Sequence, residues 1–192
     1  MANFVNLYVG VDLSTRRLVW PVRNACGICA GPVMETPLSL VQQTFDTNFF
    51  SVLRVTQAVF PYIATRRSRT IVNVGFISAD LPMPWDGVYG ATKAASARLS
   101  ETLCMETKPF GVRVVHIAPG GVKTCTRSSS AASPSIASTF AARVIRQVVR
   151  RDPPRYMTLG AGAWISAVLQ CFPRWIVLWL MWNLVAGSPK TA

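Results

Sequence analysis

Two apolar, β-branched runs constrain this 192-residue chain more than any other feature: RTIVNVGFIS at residues 69–78 and VRVVHIAPGG at 112–121. Neither alternates apolar with polar positions, so each suits a strand covered on both faces, as in parallel sheets. A Pro/Gly loop at 81–87 follows the first run. Val88 to Thr107 is then helical, with small and apolar faces from Ala91, Ala94, Ala95, Leu99, Leu103 and Met105, and Pro109–Gly111 stops it. Before the first strand, Leu38, Val41, Phe45, Phe49, Val52, Val55, Val59 and Ile63 recur at steps of three and four. That spacing predicts a long helix, broken near Asn48 and finished by Arg66–Arg69. The order helix, strand, helix, strand predicts an α/β fold with right-handed crossovers.

The flanks are less regular. Residues 4–11 (FVNLYVGV) read as a short strand, with Asp12, Ser14 and Thr15 as its turn, and 18–33 as a strand end running into a loop. Residues 126–139 are Ser/Ala-rich and read as loose. Phe140–Arg151 reads as a short helix with Arg143, Arg146 and Arg150 on one side and Val144, Ile145, Val148 and Val149 opposite. Residues 161–187 are strongly apolar and hold four of the six Trp. The chain therefore divides into a core over 1–125, a middle segment over 126–160 and an apolar tail over 161–192.

Composition narrows the partners. Apolar residues make up 51% of the chain, which excludes a disordered polymer. A net charge of +12 favours anionic partners such as phosphate-bearing ligands or an acidic membrane surface. No zinc spacing and no aromatic–basic repeat is present, so nucleic acid is not expected. Five scattered Cys point to reduced thiols in an intracellular compartment. Cys26 and Cys29 form one C-x-x-C without a second pair, and His116 is the only His, so no metal site is expected. No basic stretch precedes the N-terminal apolar run, which argues against a cleaved signal peptide.

The chemistry concentrates in NVGFISADLPMPWDGVYGATK, Asn73 to Lys93. Tyr89 and Lys93 stand one helical turn apart and share a face. A phenol titrates near ~10, too high for proton transfer at neutral pH, and a neighbouring ammonium favours the phenolate. Such a Tyr can exchange a proton with an alcohol–ketone pair while a nicotinamide moves a hydride. A Tyr at a helix start beside a solvated Lys is the structural alternative.

YGATK after NVG, with FDTNFF before it and APGGVKT after it, resembles the short-chain dehydrogenase/reductase family. The stretch from GPVMETPLSL to RTIVNVG, with PFGVRVVHIAPGGVKT and RDPPRYMTLG, is similar to the fungal NADPH-dependent acyl-dihydroxyacetone-phosphate reductases. The likeness covers about residues 24–125 well and 140–182 loosely. It implies a Rossmann-type, doubly wound, mainly parallel sheet, here truncated, with a hydrophobic C-terminal helical tail. The implied activity is NADPH-dependent reduction of a ketone on a lipid-like or secondary-metabolite substrate. Tyr89 would be the acid, Lys93 its activating neighbour and Asn48 part of a water relay to that lysine. NADP would meet Asn24, Tyr89, Lys93, the backbone at Val122 and the Thr124 hydroxyl. Helices 38–66 and 88–107 would build a homodimer or heterodimer through a four-helix bundle. Association with endoplasmic reticulum or lipid-droplet membrane would suit such substrates.

The sequence departs from that pattern in four places. The family's serine, thirteen residues before the tyrosine, is Phe76, which cannot donate a hydrogen bond to a carbonyl. Ser78, two residues on, could replace it only if the backbone bends. No T-G-x-x-x-G-x-G occurs, so the pyrophosphate lacks its usual cradle of glycine amides. Around Asn24 and Gly27 the family's N-N-A-G reads N-A-C-G, with Ala25 and Cys26. The stretch after Thr124, where relatives carry a substrate lid, is short. Two readings follow: a reductase, or a catalytically impaired remnant acting as a dimer partner or membrane-associated binding protein.

The tail is long enough to span a bilayer at about 1.5 Å per residue, but Pro173 and Arg174 fall near its middle. A central Arg costs at least ~2.5–3.5 kcal/mol, so two half-helices lying in the interface are expected, with Trp at headgroup level. The alternative is an arm packed on a neighbouring subunit.

Overall fold

A computed structural model describes residues 4–12, 17–65, 67, 69–121, 134–150, 152–160 and 162–187. Five strands form one sheet: β1 (Phe4–Asp12), β2 (Arg17–Cys26), β3 (Arg69–Val74), β4 (Arg113–Pro119) and β5 (Tyr156–Leu159), in the order β2-β1-β3-β4-β5. The two apolar runs are the adjacent strands β3 and β4, parallel and paired from Thr70–Arg113 to Val74–Ile117. β5 extends the parallel part, and β1 runs antiparallel to both β2 and β3. The sheet is thus mixed: a parallel half joined to an antiparallel hairpin.

Both faces of the parallel half are covered, which explains its unbroken apolar runs. Side chains alternate along a strand, so Ile71 and Val114 point to one face and Val72, Val115 and Ile117 to the other. The first face meets α2 (Ser51–Ala64) and α3 (Gly87–Glu106) through Val59, Phe60, Ile63 and Leu103. The second meets α4 (Pro134–Val148) through Phe140, Val144 and Val148. α4 begins at Pro134, inside the Ser/Ala-rich stretch expected to be loose, since proline is well suited to a first helical turn. Ile145, expected on the apolar side, is 44% exposed instead. α4 and β5 complete the core, so the middle segment does not stand apart from it.

The long N-terminal helix is α1 (Leu38–Phe45) running through a π-helical turn, Asp46–Phe50, into α2. The expected break at Asn48 is this wider turn. Gly111 closes the connection from α3 to β4 at φ 67°, and a Cβ there would meet the Arg67 carbonyl oxygen at 2.6 Å. The tail forms α5 (Ala163–Leu169) and α6 (Arg174–Val185), separated at Pro173. Among the described residues no helix is long and apolar enough to cross a membrane.

Candidate active site

α3 begins beside the C-terminal ends of the parallel strands, the end where open α/β sheets place ligands. Its sheet-facing side is small and polar: Thr92, Lys93, Ser96 and Ser100 are all buried. Each hydroxyl is satisfied by the turn above it. Thr92 Oγ1 donates to the Tyr89 carbonyl (2.7 Å), Ser96 Oγ to that of Thr92 (2.9 Å) and Ser100 Oγ to that of Ser96 (2.7 Å). This ladder lets α3 lie close to the sheet without orphaned donors, and it carries Tyr89 and Lys93 on the same flank.

Tyr89 and Lys93 are brought together. The Lys93 ammonium nitrogen lies 5.4 Å from the Tyr89 ring centroid, and both residues are buried. Phe76 takes the place expected of a serine and lies against Tyr89, ring centroids 5.9 Å apart and planes at 66°. An aromatic ring therefore stands where a donor for a carbonyl is expected. After Phe76 the backbone does bend, through a 3₁₀ turn at Ile77–Ala79. That turn buries Ser78 against Gly90, its hydroxyl making no hydrogen bond among the described residues, while burial pushes the Asp86 carboxyl up.

Asn48 joins three elements. Its side chain accepts from the Gly27 amide (2.9 Å), donates to the Gly27 carbonyl (2.9 Å) and reaches Thr92 Oγ1 (3.1 Å). The π turn supplies the backbone slack, and Ser96 Oγ approaches the Asn48 carbonyl at 3.2 Å. Asn48 thus ties the loop after β2 to α3, one residue from Lys93. Asn24 lies in β2, three residues before Gly27. Val122 and Thr124 lie outside the described residues.

One group was not singled out in the sequence. His116 on β4 pairs in register with Asn73 on β3 and is buried under α3. The single proton of the Ser100 hydroxyl is committed to Ser96. Its oxygen therefore accepts from Asn73 Nδ2 (2.9 Å) and from His116 Nδ1 (3.1 Å). That assigns the neutral Nδ1–H tautomer. Nε2 then carries a lone pair facing Gly75 and has no hydrogen-bond partner among the described residues. The ring stacks on Tyr156, centroids 5.2 Å apart, and the Tyr156 hydroxyl donates to Asp80 at 2.6 Å. Burial, and next the Lys93 charge, push His116 down to about 4. A polar residue interrupting an apolar strand run, Asn73 in IVNV and His116 in VVHI, was the available signal.

Residues 3–134 match the family model for short chain dehydrogenase. The chain belongs to the short-chain dehydrogenase family. It is 36% identical over 107 residues to the NADPH-dependent 1-acyldihydroxyacetone phosphate reductase of Schizosaccharomyces pombe, covering 56% of this chain and 36% of that protein. It is 28% identical over 185 residues to a short-chain dehydrogenase of Penicillium crustosum, covering 84% of this chain and 65% of that one. The chain thus spans between about a third and two thirds of the length of these relatives. A short-chain dehydrogenase of Burkholderia cenocepacia solved in complex with NADP matches with a TM-score of 0.68 and 25% identity, over 82% of this chain and 66% of that one.

Among the described residues a Cβ built on Gly27 meets nothing within 4 Å, so the loop that Asn48 holds is not packed against them at that point. Tyr89 and Lys93 stand one residue or a few away along α3 from the Thr92 contact that anchors this loop. No glycine-rich cradle for the pyrophosphate occurs in the sequence.

Proposed function

We propose that this chain reduces a ketone on a lipid-like or secondary-metabolite substrate with NADPH, at a rate lowered by Phe76. The observation that carries the proposal is the Tyr89–Lys93 pair, buried on one face of α3 beside the strand ends. When bound, the cofactor supplies a hydride to the carbonyl carbon. Tyr89 gives its phenolic proton to the carbonyl oxygen, Lys93 favours the phenolate left behind, and Asn48 fixes the geometry of the Gly27 loop on α3. Nothing at Phe76 can polarise the carbonyl. One missing donor of that kind is worth ~3–4 kcal/mol, or roughly 10²–10³ in rate.

Two substitutions test this on the purified chain. Phe76→Ser should raise NADPH-dependent turnover of a medium-chain ketone by up to about 10²-fold, and Tyr89→Phe should abolish it. Saturable NADPH fluorescence enhancement that persists in both variants supports the reading. No NADPH binding below millimolar concentration, with no gain from Phe76→Ser, refutes it. The second reading, a partner for another family member, is favoured by a groove of about 460 Å³ between α2 and α3, lined by Leu53, Phe60, Leu99, Leu103 and Phe110. A mixed dimer with a relative on size exclusion supports that reading, and separate peaks refute it.

A further inference from the structure

α5 and α6 turn only a narrow stripe inward. Ala163, Ser166 and Leu169 of α5 are buried, as are Val177 and Met181 of α6, and Leu169, Val177 and Met181 close on Leu81. The rest of the surface is apolar as well. Trp164 is 69% exposed, Trp175 71%, Trp179 65% and Leu184 70%, with Trp182, Leu178 and Val168 about half exposed. A helix on a water-facing surface turns charged or polar side chains outward. From Trp175 to Gly187 the only polar side chain is Asn183, whose amide bonds back to the Trp179 carbonyl at 2.7 Å. Contiguous apolar surface of this kind marks an interaction site.

Charge and length decide what covers it. Residues 107–192 hold eleven Lys or Arg and one acidic residue, Asp152. The chain as a whole carries a net charge of +12, so a second copy would bring like charge to like charge, whereas anionic headgroups complement it. Indole rings combine an apolar body with one N–H donor, the chemistry of the headgroup boundary. Twelve residues of α6 make about 18 Å and seven of α5 about 10 Å, short of a hydrocarbon core of about 30 Å. We infer that the α5–α6 hairpin lies flat in the surface of an anionic lipid bilayer, with Trp164, Trp175, Trp179 and Trp182 at headgroup depth.

The hairpin is fastened to the loop that leads into α3. Leu81 and Met83 pack against it, Arg174 Nη1 donates to the Asp80 carbonyl at 3.2 Å, and the Asp80 carboxylate accepts from Tyr156. Docking sets this loop, six residues before Tyr89, close to the bilayer, so an amphiphilic ketone reaches the site without crossing water. That consequence rests on the reductase reading; the docking does not.

The test uses the purified chain with vesicles of phosphatidylcholine alone or mixed with phosphatidylserine, and needs no activity. Sedimentation with the mixed vesicles, weakened by added salt and accompanied by a blue shift of Trp emission, is expected. Trp175→Ala/Trp179→Ala should lower the partition coefficient at least about tenfold, while Tyr62→Ala, an exposed position on α2, leaves it unchanged. Trp164→Ala on α5 gives an independent reading should the double variant lose its far-UV circular dichroism. Three results overturn the inference: a chain that stays in the supernatant, Trp variants that partition like the parent, or an oligomer that buries the same Trp residues without lipid.

Discussion

Lowering the pH should destabilise this protein through one residue, His116. The ring is buried beneath α3, its Nδ1–H is committed to Ser100, and its Nε2 faces Gly75 with no acceptor for a second proton among the described residues. Burial, then the Lys93 charge, push it from 6.5 to about 4. An unfolded His takes up a proton below 6.5, while the folded one stays neutral to about 4. The unfolded state therefore binds more protons within that window, and stability falls as pH falls through it. Its contribution is fully present above 6.5 and is lost by about 4. Each tenfold difference in proton affinity is worth about 1.4 kcal/mol, so the loss comes to roughly 3 kcal/mol. Burial raises Asp86, a shift of the opposite sign, so the difference between parent and His116→Asn isolates the effect. Asn keeps a donor for Ser100. Urea unfolding at steps from pH 4 to 7.5 should show the parent's midpoint converging on that of the variant by about 1–2 M as pH falls. His116 is the only His, so its single imidazole Cε1 proton resonance should titrate below pH 5. A difference profile flat to within about 0.5 kcal/mol, or a resonance titrating near 6.5, would refute the reasoning.

Three further outcomes follow from the same geometry. Gly75→Ala puts a methyl 2.4 Å from His116 Nε2, against a ring held by Ser100 and Tyr156, and should cost about 2–3 kcal/mol in urea unfolding; in a His116→Ala background the cost should fall below about 1 kcal/mol, and equal costs in both would count against the contact. Asn48→Ala removes three hydrogen bonds and leaves the Gly27 amide without its acceptor, so stability should drop by about 2–4 kcal/mol and amide exchange at Gly27 should accelerate; unchanged exchange there would contradict the anchoring role. Tyr156→Phe strips Asp80 of its 2.6 Å donor and should cost about 1–3 kcal/mol in urea unfolding; a variant as stable as the parent would contradict the contribution of that bond.

The parallel half of the fold was legible because its physics is local to the strands. β3 and β4 are apolar on both faces, and only a sheet sandwiched between helices can bury both. The 3.6-residue spacing likewise gave α1–α2 and α3 to within a residue or two. The start of α4 was not legible: Ser and Ala are neutral enough that Pro134 and the packing of Phe140, Val144 and Val148 on the sheet decided it. The same packing turned Ile145 outward, since a helix can offer the sheet only one stripe. Tyr89, Lys93 and Phe76 could be placed because their spacing sits within one strand–loop–helix unit.

By itself, then, the sequence determined the period of each element, the Tyr89–Lys93 face and the loss of a hydroxyl at Phe76. These depend on spacings of a few residues and on side-chain chemistry alone. Tertiary structure decided what meets across long stretches of chain. Asn48 bridges to Gly27 and Thr92, His116 is enclosed by Ser100, Gly75 and Tyr156, and the α5–α6 hairpin is fastened to Asp80 and Leu81. Nothing in a local pattern encodes such pairings, because a polar group inside an apolar run acquires its partner, and its proton affinity, only once distant segments close around it.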